Sequence, residues 1–420
     1  MIVLLTAYSC CPNKGSEPGY GWNWALELSK KAEYVYCYTR SINRAEILNE
    51  LKKLEIKNLE FVFIDPSNFY ERRYKSNKVG LYMHYIMWQW KAFRTAQKLK
   101  TAHKYSIIHH VSFASLQLGS FMYKLNLPVI FGPVGGGQFS PKNFKSYFGK
   151  YWKIEIARKI TSKLLILLNP GTKGIIRNAE VVLVSNYDTK KLAEKLGAKN
   201  ASLLMDPSLP TSFYPDKLTF NASYDTLKIL WVGRLMPRKG LKLVLDALSL
   251  IKTSVDFKLT IVGDGEMGEY VNIWLDELKL KEKVEWVGQI PFEHVKEKYL
   301  NSDVFILTSL RDTCPAQLLE AMAYGLPVIT LDLHGSSLAV PDGTGLKIRP
   351  TTPSETKTEI AKSVQYLADN RELLSKMGKN AYQYASQQTW EQKVAYVYDN
   401  FYTKERKKEL RKESSTVQTP

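Results

Sequence analysis

The sequence predicts an α/β fold in two doubly wound domains. Three observations lead there. Short apolar strands alternate with amphipathic helices along most of the chain. The strands are nearly apolar throughout, as strands covered on both faces are. And the whole rhythm stops at a proline-rich stretch and then restarts.

In the first half the predicted strands are IVLLTA (2–7), YVYCYT (34–39), EFVFI (60–64), SIIHH (106–110), PVIFG (128–132) and VVLV (181–184), with helical patterns between them such as 43–54 and 188–197. DPSLPTSFYPDKLTFNAS (206–223) carries three prolines and reads as a linker. The second half resumes with LKILWVG (227–233), FKLTIVG (257–263), VEWVG (284–288), DVFILT (303–308) and LPVIT (326–330). Two separate parallel sheets give two facing Rossmann-like domains, residues 1–210 and 224–388. Ligands of such sheets bind at the carboxyl ends of the strands, so the expected site is the cleft between the domains. The chain after residue 354 reads as helical, and residues 406–420 as a polar tail.

The 420 residues carry 59 Lys and Arg against 41 Asp and Glu, a net charge of +18. That surplus favours anionic partners such as nucleotides or anionic lipid. Nucleic acid is disfavoured, because the basic residues are scattered and no recognition motif occurs. Four cysteines, Cys10, Cys11, Cys37 and Cys314, form neither a disulfide framework nor a zinc pattern and suit a reducing cytosol. The start, MIVLLTAYSC, lacks a basic leader, and no apolar run is long enough to span a bilayer. The expected location is therefore cytoplasmic, with peripheral attachment to the inner face of the plasma membrane as a candidate.

The loops after the strands carry the candidate chemistry. SCCPNKGSEPGYGWNWA places Gly15, Gly19 and Gly21 between the first strand and its helix, where backbone can approach an anion. GPVGGGQ (132–138) follows the fifth strand. SIIHH ends in two histidines; alternation lets one face a ligand, His110 by its position at the strand end, with His109 as the alternative. VGRLMPRKGL (232–241) carries Arg234 and Lys239 beside Gly233, a fork and a point charge suited to a diphosphate. LRDTCPAQLLEAMAYGLPVI (310–329) places Asp312 before a helix and Glu320 inside it. Pro315 suits the first helical position, and the backbone around Thr313 and Cys314 would lead into the cleft.

These stretches resemble one family. VGRLMPRKG, IVGDGE and LTSLRDTCPAQLLEAMAYGLPVI, together with GSEPGYGWNWA, IIHHVSF and GPVGGG, are similar to the retaining nucleotide-sugar glycosyltransferases of family four, the group 1 glycosyltransferases, which have the GT-B fold. The likeness runs from the first strand to about residue 390. It implies that Arg234 and Lys239 bind the donor diphosphate, that Gly19 lies near it from the opposite domain, and that Glu320 holds the ribose. Asp312 takes the place of the family's usual glutamate beside the donor sugar, and a histidine after the fourth strand touches that sugar. Thr313, Cys314 and Gly233 belong to the same donor-binding set. The loop LDLHGSSLAVPDG (331–343) departs from the family pattern, and residues 389–405 would cross back onto the first domain.

The implied activity is transfer of a hexose from UDP- or GDP-sugar to a hydroxyl of a glycan or lipid-linked saccharide, in bacterial surface polysaccharide assembly, with anomeric retention. No metal or other cofactor is expected, because the cations of the loop would neutralise the leaving diphosphate. The alternative is a non-catalytic or hydrolytic sugar-nucleotide-binding relative, such as an epimerase-like protein of the same fold. Finally, NFKSYFGKYWKIEIARKITSKLL (143–165) interleaves Phe144, Tyr147, Phe148, Tyr151 and Trp152 with lysines and arginines at helical spacing. Such a helix can lie on an anionic membrane or pack on its own domain.

Overall fold

The computed structural model describes residues 1–74, 78–218, 226–403 and 405. The expected polar tail lies outside them, as does the end of the proline-rich linker. The chain divides into two units. The first comprises Met1–Gly137, Ile160–Ser208 and the segment that begins at Trp390. The second comprises Gln138–Lys159 and Leu209–Thr389.

The first unit is built on seven strands: β1 (Ile2–Ala7), β2 (Tyr34–Thr39), β3 (Leu59–Phe63), β4 (Ile107–Ser112), β5 (Val129–Val134), β6 (Val181–Val184) and β7 (Ala201–Leu203). Their order is β3-β2-β1-β4-β5-β6-β7, and every pairing is parallel. Alternation along the strands feeds two cores. Leu4, Tyr38, Ile108 and Phe131 enter one, with Tyr85 and Trp88. Val3, Leu5, Cys37, Ile107 and Ile130 enter the other, with Trp24, Trp390 and Tyr402. The segment after Trp390 is thus part of the first unit's core, as a helix Trp390–Val397 and a π-helical turn Tyr398–Tyr402.

The second unit has β8 (Leu227–Val232), β9 (Phe257–Val262), β10 (Val284–Gly288), β11 (Val304–Leu307), β12 (Val328–Leu331) and β13 (Gly345–Ile348). Their order is β10-β9-β8-β11-β12-β13, again all parallel. In each sheet the order reverses between the unit's first and fourth strands, β1 and β4 or β8 and β11, and a crevice opens there at the carboxyl ends. β7 and β13, at the ends of their sheets, were not read from sequence. ASL and GLKI are short and only partly buried, so they lack the apolar run that marks the inner strands.

Residues 143–165 are not one helix. Lys142–Tyr147 and Gly149–Tyr151 are 3-10 turns, and the α-helix runs over Trp152–Leu168. Gly149, at φ 49°, interrupts the run. The aromatic residues turn inward: Phe144 and Phe148 are buried, and the Tyr147 hydroxyl donates to Asp246 Oδ2 at 2.9 Å. No helix among the described residues is long and apolar enough to cross a membrane.

Lys393 anchors the last helix to the chain that leaves the first unit. Its ammonium is buried and donates to the carbonyls of Met205, Asp206 and Pro207 at 2.7, 3.0 and 2.6 Å. Three donors thereby meet three acceptors. Replacing Lys393 with Met leaves those carbonyls without it, and we expect a loss of about 3 kcal/mol. Urea denaturation followed by tryptophan fluorescence checks this; an unchanged midpoint would show that the anchor carries no stability.

Candidate active site

In the second unit, strand order alone brings two loops together. The loop 233–240 leaves β8 and the loop 308–315 leaves β11, and these strands are neighbours. Gly240, at φ 75°, closes the first loop: a Cβ there would lie 2.1 Å from the Thr308 carbonyl oxygen. The two loops can touch only with glycine at that point.

At their junction Lys239, largely buried, donates to Asp312 Oδ2 at 2.6 Å, and Arg238 Nη1 donates to the same oxygen at 3.1 Å. Arg238 also donates to the Arg311 carbonyl at 3.1 Å, and the Thr313 amide donates to Asp312 Oδ1 at 3.1 Å. Burial pushes the Asp312 carboxyl up, but the Lys239 and Arg238 charges outweigh it and hold the group below the ordinary aspartate value. Glu320 stands on the following helix, Ala316–Ala323, and accepts from the Tyr299 hydroxyl at 3.0 Å. Burial raises its pKa; Tyr299 and the Lys239 charge act against the rise without cancelling it. Lys239 therefore bears on both carboxylates. Two cations, two acids and a hydroxyl at a switch point can bind a polyhydroxylated anion.

Residues Gln138–Lys159 are laced onto this unit. Gln138 Nε2 donates to Thr313 Oγ1 at 2.8 Å, and Arg311 makes a two-armed contact with Glu155 at 2.7 and 2.9 Å. His334 Nε2 donates to the Phe139 carbonyl at 3.1 Å.

The family comparison falls on the same unit. Residues 219–384 match the family model described as "Glycosyl transferases group 1". The chain is 23% identical over 359 residues to an uncharacterized glycosyltransferase of Methanocaldococcus jannaschii, covering 83% of this chain and 91% of that one. It is 27% identical over 265 residues to the UDP-Gal:alpha-D-GlcNAc-diphosphoundecaprenol alpha-1,3-galactosyltransferase of Escherichia coli, covering 60% of this chain and 64% of the relative. HepE of Anabaena, solved in complex with UDP, superposes with a TM-score of 0.63 at 16% identity, covering 95% of this chain and all of that one. The chain is a glycosyltransferase, and its residues 219–384 carry the group 1 domain.

In this glycosyltransferase the sequence-predicted residues fall into two sets. Lys239, Asp312 and Glu320 come together as described, with Thr313 adjoining. The others have different surroundings. Arg234 is exposed and lies 3.6 Å from Glu266 Oε2. Gly233 is buried, and its amide is taken up by the Val262 carbonyl at 3.0 Å. Cys314, expected beside the donor, is buried with its thiol toward the Gly335 carbonyl at 3.8 Å. Gly19 is buried too; a Cβ there would meet the Lys14 carbonyl oxygen at 1.9 Å, so its bareness lets the helix Ser16–Ser29 pack against the loop that precedes it.

Neither histidine reaches a surface. His109 Nε2 donates to the Gly132 carbonyl at 2.7 Å, which leaves Nδ1 to accept from the Tyr402 hydroxyl at 2.8 Å. His110 Nδ1 lies 2.8 Å from Thr6 Oγ1, and Nε2 lies 3.1 Å from the Tyr85 hydroxyl. Both rings are fully buried, so the expectation that one meets the donor gives way to a core role for each. Arg238 and Tyr299 were not singled out from sequence. Arg238 reads as one more surface cation, and Tyr299 lies on a separate helix, 21 residues before Glu320.

Burial of the neutral rings lowers the pKa of His109 to about 3 and of His110 to about 4, from 6.5. The unfolded chain then binds more protons below pH 6.5 than the folded one. Stability of the first unit is complete above that pH and falls as pH drops from it toward 4, by about 1.4 kcal/mol per pH unit for each ring. Urea denaturation across this window should show the decline, and His109→Gln should remove part of the slope. A flat profile would contradict the neutral-core assignment.

Proposed function

We propose that this glycosyltransferase moves a sugar from a nucleoside diphosphate sugar, UDP- or GDP-linked, to a hydroxyl of a glycan or lipid-linked saccharide in surface polysaccharide assembly, with retention of anomeric configuration and without a metal. The observation that carries the reading is the cluster of Lys239 and Arg238 on Asp312, with Glu320 on the next helix. The E. coli relative, whose name gives a UDP-galactose donor and a diphosphoundecaprenol-linked acceptor, supports the donor and acceptor classes. The HepE complex with UDP supports the nucleotide.

The chemistry then falls to positioning and charge. The leaving diphosphate develops negative charge as the glycosidic bond breaks, and Lys239 and Arg238 are the cations closest to hand. Asp312 pairs with both of them. A diphosphate binding here takes over Lys239, and the Asp312 carboxylate turns to the hydroxyls of the donor sugar. Glu320 accepts from the ribose hydroxyls, and Arg234, exposed at the rim of the loop, adds a second arm to the phosphates. The acceptor proton leaves through the diphosphate oxygen on the same face as the departing group, which retains the anomeric configuration.

The test is nucleotide release from a panel of UDP- and GDP-sugars, with a diphosphoundecaprenol-linked saccharide as acceptor. One donor should be turned over, and NMR of the product should show the donor's anomeric configuration. Lys239→Ala should lower kcat by about 100- to 1000-fold with the fold intact. Near-normal turnover in that variant, or an inverted product, would overturn the mechanism.

A further inference from the structure

The helix Trp152–Leu168 presents its apolar stripe outward. Ile156, Ile160, Leu164 and Leu167 follow at i, i+4, i+8 and i+11, within one arc of the helix. They are 48%, 54%, 48% and 66% exposed, and Leu168 beside them is 72% exposed. The inward face is polar where polar partners exist: Glu155 meets Arg311 and Ser140, Arg158 the Gln138 carbonyl, and Ser162 accepts from Gln117. Leu165 packs on the first unit's core. An ordinary surface helix has the opposite arrangement. Five large aliphatic side chains in one exposed stripe mark a surface that something covers.

The charges on the helix indicate what covers it. Lys153 lies within the stripe, and Lys159 and Lys163 line one edge, all three exposed. The single acid of the helix, Glu155, is turned inward and paired. A second copy of the chain seated stripe to stripe would bring the lysine rows together. An anionic lipid surface satisfies both halves, with the aliphatic side chains among the acyl chains and the ammonium groups at the phosphates.

We propose that this helix is a membrane-docking element, and that its lipid-facing residues are Ile156, Ile160, Leu164, Leu167 and Leu168, flanked by Lys159 and Lys163. The sequence placed the lipid-facing character in the aromatic residues 144–152; the structure moves it to the aliphatic half of the helix, because the aromatic half is folded inward.

The test is co-sedimentation of the full chain with vesicles. The protein should bind vesicles of phosphatidylglycerol and phosphatidylcholine, bind phosphatidylcholine alone much less, and be released by salt. Ile160→Glu with Leu164→Glu should weaken binding by at least about 10-fold. Lys159→Gln with Lys163→Gln should reduce the preference for anionic vesicles while sparing residual binding. The replaced side chains are exposed, so unchanged thermal unfolding is the control; Ile160→Ser with Leu164→Ser replaces the glutamate pair if that control fails. Absence of binding by the parent chain, or equal binding by the variants, overturns the proposal. So does a dimer in light scattering that the glutamate pair disperses, because the stripe is then a self-association face. No donor or acceptor enters this assay, so its outcome is independent of the transfer reaction proposed above.

Discussion

The reversal of strand order in each sheet is the constraint from which the rest follows. In a parallel sheet with helices on both faces, the first and fourth strands of each unit are neighbours, but their connections leave toward opposite faces. The backbone parts there, and polar groups at the strand ends need partners. Each unit supplies a carboxylate to tie the two loops. In the second unit Asp312, after β11, holds Lys239 and Arg238, after β8. In the first unit Glu17, after β1, accepts the Ala114 amide, after β4, at 2.8 Å. The two ties differ chemically. Asp312 faces cations and is held ionised, whereas Glu17 has one backbone donor to set against burial, which raises its pKa. A carboxylate whose partners are cationic side chains can exchange them for a ligand; one bound to backbone cannot do so at low cost.

Polar groups inside the first unit are matched with similar economy. His109 and His110 lie on a central strand, where burial makes an ionised ring costly, and every nitrogen of the two rings meets a hydrogen-bond partner. Tyr402, from the far end of the described chain, supplies one of those partners. Lys393 supplies the charge for three carbonyls in the chain that leaves the unit. The last segment is therefore joined to the first unit both by apolar burial of Trp390, Val394 and Val397 and by these two polar anchors.

Segment 138–159 shows how a connection between two strands of one sheet comes to serve another unit. Its polar residues, Gln138, Tyr147 and Glu155, find partners at Thr313, Asp246 and Arg311. Two of those partners, Arg311 and Thr313, flank Asp312 in sequence, so the segment helps to fix the loop that carries the acid. The helix that follows then has its polar side committed inward, and its aliphatic side is what remains for the outside.

The sequence by itself determined the two parallel sheets and directed attention to the loops at their carboxyl ends. Inner strands such as IVLLTA and VVLV are apolar on both faces because both faces are covered, and that signal needs no tertiary information. Lys239, Asp312 and Glu320 were legible as candidates because glycine, cation and acid recur after strand ends, where doubly wound sheets bind ligands. What the tertiary structure alone decided is which side of each element faces in. Neighbouring histidines at a strand end look alike in sequence, yet both are enclosed, because Tyr402 and Tyr85 reach them from distant parts of the chain. Arg238 and Arg234 are equivalent cations in the sequence, yet only Arg238 lies on Asp312. The helix at 152–168 was legible as amphipathic, but not which half lies outward, since hydrophobic periodicity fixes an axis and only the partners of Glu155, Ser162 and Leu165 fix its direction.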